Sequence, residues 1–228
     1  MSSSISKKIL TNKIVEKTYH WMVGQAMDAY IISFPKSGRT WLRMLLAQAF
    51  SLEYGLKLNL DLYKMTIGKS LPNIKTDPRT GNYSRFGGSK TLALQSHMKR
   101  KKIIFLLRDP KDILVSYYFE WTKRRDLKYE KDIHSFIREE FTLPRLIRFM
   151  NLWAREIQKK EKDCIIIRYE DLHKNATTEL ERVVTFLGVS IKNDTIQKAA
   201  KKSSFQNMFK MEKDSTFGED HRLQPTNK

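Results

Sequence analysis

The 228-residue chain is poor in cysteine, glycine and proline: one, nine and six residues respectively. The lone Cys164 cannot close an intrachain disulfide, so a disulfide-stapled secreted scaffold is excluded. Nine glycines and six prolines exclude collagen-like and low-complexity chains. Acidic residues are also short, 25 against 43 Lys and Arg, giving a formal charge of +18 and a pI of about 9.9. Long apolar runs are missing. Those at 103–107 and 164–167 fall far below the roughly 20 residues of a membrane-spanning helix. Residues 1–8 have no apolar stretch of signal-peptide type behind them. A soluble, cytoplasmic protein with no membrane span is expected. No Cys/His cluster has metal-ligand spacing, and no metal is expected.

What remains is an ordinary globular composition, 40% hydrophobic and 11% aromatic. A chain of this size buries about 70% of its unfolded surface. The positive excess asks for an anionic partner: nucleic acid, an acidic membrane surface or a phosphorylated small molecule. Between Lys99 and Lys131 there are 11 basic and 5 acidic residues, so part of the charge is concentrated.

Three short apolar runs, 29–34, 102–107 and 164–168, are β-branched or aromatic and do not alternate, as expected of buried parallel strands. The first two each run into a turn signal and then a helical pattern. After Pro35-Lys36-Ser37-Gly38, Leu42, Leu45, Leu46, Ala49 and Phe50 share one face. After Arg108, Asp109 suits an N-cap, Pro110 the first helical position and Asp112 the acidic first turn. Ile113, Leu114, Tyr117, Tyr118 and Trp121 then recur at helical spacing. Further helices are expected over 145–160 and over 177–187, the latter stopping at Gly188. Residues 73–90 read as a long surface loop, 121–144 as a second loop, and those from Lys210 onward as a weakly patterned tail. No repeat or linker divides the chain. The expected fold class is α/β: a single domain spanning residues 1–228, with a central parallel sheet flanked by helices and a P-loop-like strand–loop–helix.

Phe34-Pro35-Lys36-Ser37-Gly38-Arg39-Thr40-Trp41 lies between a strand and a helix. Successive backbone N–H groups and the helix N-terminus can there face one anion. Gly38 permits a close approach, Ser37 and Thr40 add hydroxyls, and Lys36 supplies a point charge. The Walker A spacing is absent. An ordinary strand–helix turn would show similar residues. Arg108-Asp109-Pro110-Lys111-Asp112 followed by Ser116 combines an Arg fork and a hydroxyl two turns into a helix, a pairing suited to a phosphate monoester.

With both segments in order, the sequence resembles the sulfotransferases that use 3′-phosphoadenosine 5′-phosphosulfate (PAPS), over roughly 30–211. The family's phosphosulfate loop reads Pro-Lys-Ser-Gly-Thr-Thr-Trp; here Arg39 replaces the first Thr. The resemblance implies that Lys36 meets the 5′-phosphate and bridging oxygen, with Ser37, Gly38, Arg39 and Thr40 completing the loop. It implies that Trp41 stacks on adenine and that Arg108 and Ser116 hold the 3′-phosphate. His97, in Gln95-Ser96-His97, stands where the family has Lys-Thr-His and is implied as general base. Tyr169, in Tyr169-Glu170-Asp171, and Ser203 and Phe205, in Ser203-Ser204-Phe205, are implied in adenosine contacts. The implied cofactor is PAPS, with 3′-phosphoadenosine 5′-phosphate (PAP) as product. The implied activity is in-line transfer of a sulfuryl group to a hydroxyl or amine of a small-molecule or acidic acceptor.

The Arg-Lys-Gly segment with which the family closes over the 3′-phosphate does not occur. A truncated chain, a grip by other residues and a PAPS-binding but inactive domain all stay open. Two rivals predict different partners. A P-loop nucleotide kinase requires ATP and Mg²⁺. A nucleic-acid-binding protein would use Lys99-Arg100-Lys101-Lys102 and Lys123-Arg124-Arg125, and nucleic acid is not the expected partner. Neither the acceptor nor the oligomeric state is specified by the sequence.

Overall fold

The computed structural model describes residues 29–55, 102–124 and 129–213. Three strands, β1 (Ala29–Ser33), β2 (Lys102–Leu107) and β3 (Cys164–Arg168), pair in parallel in the order β1-β2-β3. Ser33 stands opposite Leu106, and Leu107 opposite Arg168. The carboxyl ends of all three strands therefore lie side by side, the edge of an open α/β sheet where ligands bind.

Each strand runs directly into a helix: β1 into α1 (Arg39–Tyr54), β2 into α2 (Pro110–Phe119) and β3 into a short helix described below. A π-helical turn, Glu120–Arg124, continues α2. Then come α3 (Ile133–Arg138), α4 (Leu143–Lys159) and a single 3₁₀ turn, Glu161–Asp163, before β3. The chain continues through α5 (Tyr169–Lys174), α6 (Ala176–Leu187), α7 (Asn193–Lys202) and α8 (Phe205–Lys213).

Alternation along β1 and β2 sends side chains to opposite faces, and each face builds its own core. Tyr30, Ile32, Ile103 and Phe105 meet Tyr117, Phe136, Phe149 and Trp153 of α2, α3 and α4 in a largely aromatic layer. Phe34 meets the Tyr117 ring edge-on at 6.1 Å, and Phe105 stacks on Phe149 at 5.9 Å. Ile31, Ile104, Leu106 and Ile167 meet Leu42, Leu45, Leu46, Leu180 and Val183 in an aliphatic layer under α1 and α6. Burial of each such side chain stabilises by about 1.5–3 kcal/mol. The two layers fix α1 and α2 on opposite faces, so both helix N-termini open at the same sheet edge.

The second and third strands and the helix stop at Gly188 (φ 77, left-handed) match expectation. Three readings are corrected. The segment after Trp121 is not a loop: it holds the π-helical turn and α3, because Asp132 caps α3 by accepting from the Ser135 N–H at 2.7 Å. The weakly patterned tail begins later than Lys210, since α8 runs to Lys213. The first strand ends at Ser33, one residue before Phe34. The loop at 73–90 and the segment 214–228 lie outside the described residues.

Candidate functional site

The β1–α1 turn is built open. Gly38 occupies the N-cap position of α1 with φ 90, and no side chain caps the helix. The first turn of α1 carries no acidic residue. The Gly38 carbonyl accepts from the Trp41 and Leu42 N–H groups at 3.0 and 3.2 Å, which starts the helix. A Cβ on Gly38 would stand 2.5 Å from Cδ2 of Tyr169, so glycine is required by both conformation and space. Lys36 has φ 69, the one positive-φ non-glycine among the described residues. Such a backbone costs on the order of 1–3 kcal/mol and gathers at functional sites. It sends the Lys36 ammonium across to Glu120, whose Oε2 accepts from Nζ at 2.9 Å.

The β2–α2 turn is built closed. The Asp109 side chain accepts from the Lys111 N–H at 2.7 Å, with Pro110 at the helix start and Asp112 in its first turn. The Asp109 N–H donates to Glu170 Oε1 at 2.7 Å, which ties this turn to α5. Arg108 leaves the strand end and is held on several sides. Its Nη1 donates to the Lys36 carbonyl at 2.8 Å, its guanidinium lies 4.2 Å over the Tyr169 ring, and Nη2 is 3.7 Å from Asp112 Oδ2.

These contacts bring Lys36, Gly38, Trp41, Arg108, Tyr169 and Ser203 together. The Trp41 indole donates to the Ser203 carbonyl at 2.8 Å and meets the Tyr169 ring edge-on at 5.9 Å. Ser116 is half-buried on α2. Arg39 and Thr40 begin α1 beside the loop, both half-buried. Phe205, at the start of α8, is 70% exposed and stands apart from the packed core. His97 lies outside the described residues. Three residues were not singled out from the sequence. Glu120 is four residues beyond Ser116, a helical spacing that could have flagged it. Glu170 joins two turns. The His173 ring lies 6.0 Å from Trp41.

Several donors here fit an anionic nucleotide. Among the described residues, Ser37 Oγ, Ser203 Oγ and Arg108 Nε are buried and have no hydrogen-bond partner. Buried polar atoms are rarely left so, except where a ligand or ion completes them. With the uncapped α1 N-terminus and the Lys36 ammonium, they form a donor-rich cradle suited to phosphate or sulfate oxygens. Cys164 is unsuited as a nucleophile: burial pushes its thiol up to about 11. Among the described residues, no group of three or more His, Cys, Asp or Glu could hold a metal ion. None of the described helices is long and apolar enough to cross a membrane.

Comparison with known proteins gives consistent relatives. Mouse sulfotransferase 2A6 is 26% identical over 221 residues, 86% of this chain and 71% of its own. Human sulfotransferase 4A1 is 28% identical over 183 residues, 72% and 60%. Among solved structures, mouse sulfotransferase SULT7A1 complexed with PAP superposes with a TM-score of 0.54 at 19% identity, covering 80% of this chain and 64% of that one. Retinol dehydratase in complex with androsterone and inactive cofactor PAP gives 0.55 at 20% identity, covering 86% and 69%. These two show the shared fold. The chain spans about two thirds of the length of the relatives it matches. The family model for the sulfotransferase domain matches residues 26–224, nearly the whole sequence, and the chain belongs to that family.

Proposed function

We propose that this protein transfers a sulfuryl group from PAPS to a hydroxyl or amine of a small-molecule acceptor. The observation that carries the reading is the open β1–α1 turn. An uncapped helix N-terminus, a glycine that admits close approach and the Lys36 ammonium stand beside the Arg108 guanidinium and two buried serine hydroxyls that have no partner among the described residues. Family membership and relatives crystallised with PAP support the nucleotide.

The sulfuryl group to be transferred is supplied by PAPS. Lys36 and the loop N–H groups stabilise charge growing on the bridging and equatorial oxygens, with Ser37 and Thr40 as further donors. Arg108 and Ser116 hold the 3′-phosphate, which distinguishes this nucleotide from ATP. Trp41, Tyr169, Ser203 and Phe205 form the adenosine side. His97 takes the acceptor's proton. The single-domain organisation over 1–228 and a cytoplasmic setting complete the reading.

Part of the basic stretch has structural work that does not involve nucleic acid. Lys102 Nζ donates to the Phe186 carbonyl at 2.7 Å, and Lys123 lies 5.0 Å over the Phe119 ring. One second reading is a domain that binds PAPS without turnover. Incubation with labelled PAPS and an acceptor panel, read by mass spectrometry, separates the two. Labelled, acceptor-linked sulfate is expected. PAP binding without any sulfated product would leave the binding domain, and no PAP binding would remove both.

A further inference from the structure

We propose that Glu120 selects acceptors bearing a positively charged amine, presenting its carboxylate to them beside the transfer centre. The inference rests on the placement of Lys36 as the donor-facing cation. Glu120 opens the π-helical turn that continues α2 and stands four residues beyond Ser116. That spacing keeps the two on one helix face, and π-helical insertions recur at functional sites. Its Oε2 meets Lys36 Nζ at 2.9 Å, with both side chains 24% exposed. The carboxylate is thus aimed at the loop that receives the donor.

Charge balance gives the argument its direction. In the resting protein Lys36 and Glu120 neutralise one another. Once the Lys36 ammonium turns to the donor's oxygens, Glu120 is left as a three-quarters shielded carboxylate next to an anionic nucleotide. Without Lys36 that carboxylate has lost the ion pair that balanced it. Two neighbouring cations among the described residues are already engaged. Arg108 is fixed by the Lys36 carbonyl, the Tyr169 ring and Asp112, and Lys123 lies over Phe119. A counter-ion from the acceptor resolves the imbalance: a primary or substituted ammonium that pairs with Glu120 while a hydroxyl elsewhere on the same molecule receives the sulfuryl group. The ammonium is a handle and takes no part in bond making. An acidic acceptor would meet Glu120 repulsively, so the overall positive charge of the chain does not dictate the charge of the acceptor.

The test is titration calorimetry on the full chain, with and without PAP, using ligand pairs matched in shape but not in charge. Tyramine is compared with 4-ethylphenol, and 6-aminohexan-1-ol with heptan-1-ol. The PAP-loaded wild type is expected to bind each ammonium-bearing member at least roughly tenfold more tightly than its neutral partner, the scale of a partly buried charge pair. Glu120→Gln is expected to bring each pair within about twofold. The same variant should bind PAP itself roughly fivefold more tightly, because Lys36 has lost a partly exposed competing carboxylate. A purely structural role for Glu120 would weaken PAP binding and leave the charge preference intact. Equal binding within the pairs, binding of neither ammonium member, or an unchanged preference in Glu120→Gln overturns the proposal while PAP still binds. Failure of PAP to bind the wild type takes down the donor reading as well, which distinguishes the two failures.

Discussion

The two strand-to-helix turns of this sheet share a topology and differ in how they end. In the β1–α1 turn, α1 begins at a left-handed Gly38 with no side-chain cap and no acid. In the β2–α2 turn, α2 begins with Asp109 capping, Pro110 in place and Asp112 behind it. The first turn leaves backbone donors for a ligand. The second satisfies its own and contributes side chains, Arg108 at the strand end and Ser116 further along α2. The same division separates the cations. Arg108 is anchored to a carbonyl, a ring and a carboxylate, whereas among the described residues Lys36 is tied to the one carboxylate of Glu120. A fixed cation suits a phosphate held throughout the reaction. A cation on a single ion pair suits a group whose charge changes during it.

Substitutions in the two turns should therefore differ in kind. The largest effect is expected from Lys36→Ala, which should lower kcat by roughly two to three orders of magnitude. Its Tm should stay within about 2 °C, because only a partly exposed ion pair is lost. A kcat near wild type would erase the distinction between the cations. Arg108→Ala comes next. It should weaken PAP binding by about 2 kcal/mol, roughly thirtyfold, on loss of charge-assisted bonds. Calorimetry that showed PAP affinity unchanged would contradict that assignment. Gly38→Ala should cost about 2 kcal/mol of stability, from the left-handed φ and the 2.5 Å approach to Tyr169, with weaker PAP binding alongside. Denaturant unfolding and PAP titration measure both. Asp109→Ala should have the smallest effect: about 1 kcal/mol of stability for the lost cap, with PAP affinity within about twofold. A large loss of PAP affinity there would mean that the closed turn also faces the ligand through its backbone.

Much of this architecture was readable from residue order. β-Branched or aromatic runs mark the strands, turn residues follow the first two, and Asp109-Pro110 marks the start of α2, because capping and strand burial are local effects that leave local traces. Lys36, Gly38, Trp41, Arg108 and Tyr169 were named in advance and do converge. Their mutual contacts were not readable, since Trp41 reaches Ser203 across 162 positions and Gly38 meets Tyr169 only when β1 and β3 flank β2. Glu120 was missed for a similar reason. An acidic residue in an amphipathic helix looks like a solvated face until the π-helical turn aims it at Lys36. The helical stretch after Trp121 leaves little trace in the sequence because α3 is six residues long and is set by the Asp132 cap, which outweighs its weak periodicity.

On the proposed function, the open turn and the anchored Arg108 together recognise a nucleotide phosphorylated at both its 3′ and 5′ positions. Calorimetric titration of the full chain with PAP and with adenosine 5′-phosphate tests it most directly. The account predicts that PAP binds at least about tenfold more tightly than the nucleotide lacking the 3′-phosphate, and that Arg108→Ala brings the two together. Equal affinity for both nucleotides in the wild type, or a preference that survives Arg108→Ala, would contradict it.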